Sequence, residues 1–131
     1  MIAKGTFEVT VNQEPPYDVE DGVSLGRASV DKRFTSGPLE GTSVVRMIGA
    51  RTKVDGSAGY VAIERIRGTL DGKRGTFVAQ HSGTMKAGAF SLLIGIVPDS
   101  GTAELSGISG TMKITIENKQ HFYEIEYQLP T

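Results

Sequence analysis

A chain of 131 residues, 38% hydrophobic and 22% charged, is one domain (1–131) large enough to bury a core. A formal net charge of −1 with scattered Lys and Arg argues against a nucleic-acid partner, and no apolar run approaches a membrane span. The absence of cysteine excludes a disulfide scaffold, a thiolate metal site and a thiol nucleophile.

The N-terminal MIAKGTFEVTV has no basic segment, apolar run or small-residue cleavage site of a signal peptide, so the expected compartment is the cytoplasm. TFEVTV alternates, with Phe7, Val9 and Val11 on one face and Thr6, Glu8 and Thr10 on the other. NQEPPYDVEDGV (12–23) is the one long link, acidic and Pro-rich, and is expected to arch over one end of the molecule. ASVDKRF, SVVRMIGARTK, GYVAIERIRGTL, GTFVAQHSGTM, AFSLLIGIV, GTMKITIE and HFYEIEYQL follow as strands. Gly37-Pro38, Asp55-Gly56, Asp71-Gly72, Ala87-Gly88 and Asn118-Lys119 supply the turns. Eight sequential antiparallel strands leave two bare edges unless they close. The expected fold is therefore an all-β, closed, eight-stranded up-and-down barrel with little or no helix. The seven Gly-Thr steps have irregular spacing and no helix follows them, so they read as strand bends and not as phosphate loops.

A two-residue turn at Asp71-Gly72 sets Ile66 opposite Phe77, Glu64 opposite Ala79 and Ala62 opposite His81. One face then carries Tyr60, Ala62, Glu64, Ile66, Phe77, Ala79 and His81, and the other carries Val61, Ile63, Arg65, Val78 and Gln80. The first is assigned to the interior; a one-residue slip would exchange the two. The other hairpins extend the interior with Phe90, Leu92, Ile94 and Ile96, with Val45, Met47, Gly49 and Arg51, and with Ala28, Val30, Lys32 and Phe34. The last hairpin adds Met112, Ile114, Ile116, Tyr123, Ile125 and Tyr127. Arg51 is expected opposite Tyr60, and Lys32 towards the far end, reaching solvent. Glu64 and His81 are diagonal neighbours with Cα atoms roughly 7–8 Å apart, close enough for their side chains to meet.

A mouth of Arg51, Tyr60, His81 and Glu64 above walls of Met47, Phe77, Phe90 and Tyr127 is a candidate binding site for a small, mainly apolar molecule with one polar end. A buried Glu–His pair is equally compatible with a structural role, each charge neutralising the other. His121, beside a turn, reads as a surface residue. Two distant histidines without a third ligand give no metal site, and no nucleophile elbow is present, so neither metal nor cofactor is expected.

The run ERIRGTLDGKRGTFVAQHSGT, with QEPPYD and RASVDKRF before it and VPDSGTAELSGISGTMKI after it, resembles bacterial domain-of-unknown-function family 3224 over nearly the whole chain. That family is similar in fold to the allene oxide cyclase and dirigent barrels, whose glycine-rich segment corresponds to Gly101–Gly110 here, with Ala103 where glycine is commoner. The resemblance implies a barrel with a central cavity and places Glu64, Arg65, Gln80 and His81 at the family's polar positions. It implies no activity.

Three readings follow. The first is a carrier or sensor of an apolar ligand. The second is a cofactor-independent isomerase or cyclase in the same cavity, with Glu64 or His81 moving or polarising a proton. In the third the outer face matters: Val61, Ile63, Val78, Leu93 and Val97 point outward and favour a homo-oligomer.

Overall fold

The computed structural model describes residues 1–131. Nine strands follow in chain order: β1 (Ile2–Gln13), β2 (Asp18–Glu20), β3 (Val23–Ser36), β4 (Leu39–Arg51), β5 (Ala58–Leu70), β6 (Lys73–Lys86), β7 (Ala89–Ile96), β8 (Ser109–Glu117) and β9 (Gln120–Gln128). All pairs are antiparallel, each long strand pairs with the next, and β1 closes the ring by pairing with both β9 and β3. The result is the expected eight-stranded barrel. β2 is a short addition on β3, so the 12–23 link is partly strand, and residues 14–17 between β1 and β2 are tied to β3 by Glu14 N–H on Arg27 O (3.1 Å) and Tyr17 N–H on Leu25 O (2.9 Å). One turn of 3-10 helix, Ala103–Leu105, is the sole helical element. No helix is long and apolar enough to cross a membrane.

The two-residue turns fix most of the register. Asp71-Gly72, Ala87-Gly88 and Asn118-Lys119 each hold both central residues at positive φ, the twist that suits the flanking strands. Ile66 pairs with Phe77, Ala62 with His81, Met85 with Phe90, and Ile114 with Tyr123, all as expected. The β4–β5 connection differs. Asp55-Gly56 belongs to a longer loop closed by Thr52 and Ser57, and the pairing shifts by two residues. Faces survive a two-residue shift, but Arg51 now lies opposite Ala58, and Gly49 lies opposite Tyr60.

Gly41, Gly68 and Gly75 are paired across β4, β5 and β6. A Cβ on Gly41 or Gly68 would stand 2.0 or 1.9 Å from a carbonyl oxygen of the neighbouring strand. Glycine there lets the sheet coil tightly enough to close.

The end holding the Gly37-Pro38 and Asp71-Gly72 turns is packed solid. Phe7, Phe34, Leu39, Ile66, Leu70, Phe77, Ile125 and Tyr127 form its core. The segment between β7 and β8 folds underneath and inserts Leu105 and Ile108, each 1% exposed. This segment also replaces a missing strand along β6. The side chains of Ser100, Thr102 and Glu104 accept hydrogen bonds from the backbone N–H groups of Val78, Thr76 and Arg74 at 3.0, 2.9 and 3.0 Å. Their spacing of two matches the alternation of β6 donors along one edge. Tyr123 locks the β3–β4 turn: its hydroxyl donates to Ser36 O (3.0 Å) and accepts from Leu39 N–H (3.1 Å).

Candidate functional site

The opposite end is open. A cavity of about 590 Å³ lies among β3, β4, β5, β6 and the start of β7, roofed by Gln13, Glu14 and Pro16 of the 12–23 link. Gly26, Gly49 and Gly83 lie on its lining. A Cβ at Gly26 would meet nothing nearer than Pro16 Cα at 3.8 Å, so that position borders space. A Cβ at Gly83 would come within 2.7 Å of Tyr60 Cε1; the phenol ring lies across this glycine. Ala28, Met47, Met85 and Phe90 add apolar surface, and Arg27 and Arg51 stand exposed at the rim. Arg27 is held there by Tyr17, whose ring centroid lies 4.7 Å from the guanidinium carbon.

Below Tyr60 lies a buried polar cluster to which four consecutive strands each give one side chain: Lys32 (β3), Ser43 (β4), Glu64 (β5) and His81 (β6). Lys32 and Ser43 are directly paired, and from Ser43 to Glu64 to His81 each step lies two residues nearer the mouth than direct pairing. The cluster therefore follows the tilt of the strands. Glu64 is 0% exposed. Its carboxylate accepts from Ser43 Oγ at 2.5 Å and His81 Nε2 at 2.8 Å, and Lys32 Nζ lies 3.2 Å from each oxygen. Burial pushes the Glu64 carboxyl up, but the His81 and Ser43 hydrogen bonds and the Lys32 charge outweigh it, leaving the group at about 2. Lys32 Nζ also sits 4.8 Å from the Phe7 ring centroid. No buried side-chain polar atom lacks a partner. Tyr60 connects cluster to cavity: its hydroxyl is 3.4 Å from His81 Nδ1. Burial, and then the Glu64 charge, raise the Tyr60 phenol above its ordinary value.

The expected site residues therefore separate into three groups. Met47, Arg51, Tyr60 and Phe90 line the cavity. Glu64 and His81 are in contact with each other, as anticipated, and sit directly behind Tyr60. Phe77 and Tyr127 belong to the packed core at the other end, where the Tyr127 hydroxyl donates to the Asp71 carboxylate. Phe90, expected as an inner wall, is 61% exposed at the rim, and Ile116 is likewise exposed. Both lie where β7 and β8 have stopped pairing, since those strands meet only at Ile94–Met112 and Gly95–Thr111. Lys32, expected to reach solvent, is buried on Glu64. Ser43 is the cluster member that the hairpin pattern does not single out, although a serine on an inner face with Val45 and Met47 is itself a signal of a buried partner. His121 is half-buried, its ring 5.2 Å from that of Phe7. On the outer wall Val61, Ile63 and Leu93 are exposed, as are Ile48 and Gln80, whereas Val78 and Val97 are half-buried.

The family model described as "Protein of unknown function (DUF3224)" matches residues 3–127. A crystal structure of a protein of unknown function from the DUF3224 family of Shewanella oneidensis MR-1 is 45% identical. It aligns over 100% of this chain and 98% of its own with a TM-score of 0.92. No curated protein matches the chain.

Proposed function

The chain belongs to the DUF3224 family, and from that premise we propose that its mouth cavity binds a small, mainly apolar molecule with one polar end. The observation that carries this reading is a cavity of about 590 Å³, within the range of small-molecule sites, bordered by the bare Gly26 and floored by one phenol wired to a buried charge cluster. The four methionines offer a direct test. Met47 and Met85 line the cavity, while Met112 is in the core and Met1 lies outside. Titration of methyl-labelled protein with propylbenzene is expected to move the Met47 and Met85 signals and leave the other two. Gly26→Leu fills the cavity without a steric clash and is expected to abolish the shifts. Unmoved Met47 and Met85 signals at saturating propylbenzene would refute the proposal.

The chain of contacts from Tyr60 through His81 to Glu64 favours a second reading, a cofactor-independent isomerase or cyclase. In such a reaction a substrate O–H or C–H proton passes to Tyr60 Oη as the Tyr60 proton passes to His81 Nδ1. The new imidazolium is balanced by the substrate anion, which keeps the electron pair. Glu64, with three donors already on it, serves as counter-charge and not as proton carrier. Tyr60 and His81 therefore carry the chemistry in this reading. Turnover of an identified substrate that survives Tyr60→Phe would exclude it.

We further propose self-association through the outer apolar strip of Ile48, Val61, Ile63 and Leu93.

A further inference from the structure

We infer that Tyr60 meets the ligand as a hydrogen-bond acceptor, and that the polar end selected by the cavity is an uncharged hydroxyl and not a carboxylate. The inference rests on the cavity-binding reading and adds the chemistry of the ligand's head.

It begins at the buried end of the cluster. An ionised carboxylate has only acceptor sites, so the His81 nitrogen at 2.8 Å from Glu64 Oε1, Nε2, carries a hydrogen. Lys32 already balances the charge of Glu64 at 3.2 Å. A neutral imidazole leaves this buried cluster without net charge, whereas an imidazolium would leave an uncompensated cation away from water. With Nε2 protonated, the neutral ring presents a bare lone pair at Nδ1. The only group on it is the Tyr60 hydroxyl, at 3.4 Å, which must therefore donate. In this contact the phenolic hydrogen points to His81, and oxygen lone pairs face the cavity.

The Tyr60 ring lies across Gly83, in the space that a Cβ there would occupy 2.7 Å from Cε1, with its hydroxyl on His81 Nδ1. A carboxylate reaching Tyr60 would oppose lone pair to lone pair and bring a second negative charge towards Glu64. An alcohol donates to the free lone pair and is accepted. Arg27 and Arg51 stand at the rim, exposed to water.

Three ligands of one shape separate these chemistries: 3-phenylpropan-1-ol, its methyl ether and 3-phenylpropanoate, with propylbenzene as the headless reference. Binding is read from the Met47 and Met85 methyl signals. The alcohol is expected to bind about fivefold to tenfold more tightly than the ether, the value of one hydrogen bond. In Tyr60→Phe that preference is expected to vanish, the alcohol and the ether then binding alike. Equal affinities for alcohol and ether in the native protein would overturn the inference while leaving cavity binding intact. So would a preference that persists in Tyr60→Phe, or a carboxylate that binds best and depends on Tyr60. If propylbenzene itself fails to bind, the cavity reading falls and this inference with it.

Discussion

His81 Nε2 lies 2.8 Å from Glu64 Oε1, and neither side chain is more than 3% exposed. Such a contact holds only because Lys32 and Ser43 satisfy the rest of the carboxylate. Glu64→Gln leaves the Lys32 ammonium buried without a counter-charge, and the expected loss is about 3–5 kcal/mol. Combining it with Lys32→Met removes the stranded charge and is expected to recover part of that loss. Urea unfolding of the two single variants and the double variant closes the cycle; strictly additive losses would show that the pair is not coupled.

Acid should expose the same dependence. The Glu64 carboxyl is depressed in the folded protein, from 4.5 to about 2. A depressed carboxyl stabilises the fold at pH values above its unfolded value. That contribution, on the order of 3 kcal/mol, is lost as pH falls from about 5 towards 2. Unfolding free energy measured at pH 6, 4 and 2.5 is expected to fall more steeply for the native chain than for Glu64→Gln. Parallel curves would contradict the assignment.

At the closed end, Thr102 Oγ1 stands in for a strand carbonyl on Thr76 N–H. Thr102→Val keeps the shape and strands that donor, for an expected cost of about 1–3 kcal/mol. Leu105→Ala, which empties the plug, is expected to cost about 2–5 kcal/mol. Amide exchange along Lys73–Val78 should rise in both variants. Unchanged protection there would mean that the segment does not complete the sheet edge.

The outer strip makes a separate claim. Leu93 is 75% exposed, and Val61 and Ile48 are paired neighbours on β5 and β4. Sedimentation is expected to show a dimer or larger species that Val61→Glu with Leu93→Glu converts to monomer. A monomeric native protein at high concentration would remove the proposal.

The faces of the barrel strands were legible in the sequence because alternation and two-residue turns specify them jointly. Asp71-Gly72 alone sets Glu64 and His81 on one side and Gln80 on the other. The six-residue stretch Thr52–Ser57 has no such fixed geometry, and Arg51 was misplaced by two residues there. Lys32 was misjudged for a different reason. Strand tilt carries the inner face two residues mouthward from Ser43 to Glu64 and again to His81, a displacement that pairing within single hairpins does not reveal. Leu105 and Ile108 sit in a segment without periodicity, so their burial depends on the chain folding back under the barrel. The mouth was legible through Met47, Arg51, Tyr60 and Phe90, but the part of its wall formed by glycine was not. Gly26 belongs to no Gly-Thr step, yet a Cβ there would meet nothing nearer than 3.8 Å, so it borders the space inside.

The most direct test is a crystal structure of the protein with 3-phenylpropan-1-ol bound. The account predicts the phenyl group against Met47 and Met85, with the alcohol oxygen about 2.8 Å from Tyr60 Oη and the Tyr60–His81 contact retained. A hydroxyl turned to the rim arginines or to solvent, with nothing on Tyr60, would contradict it.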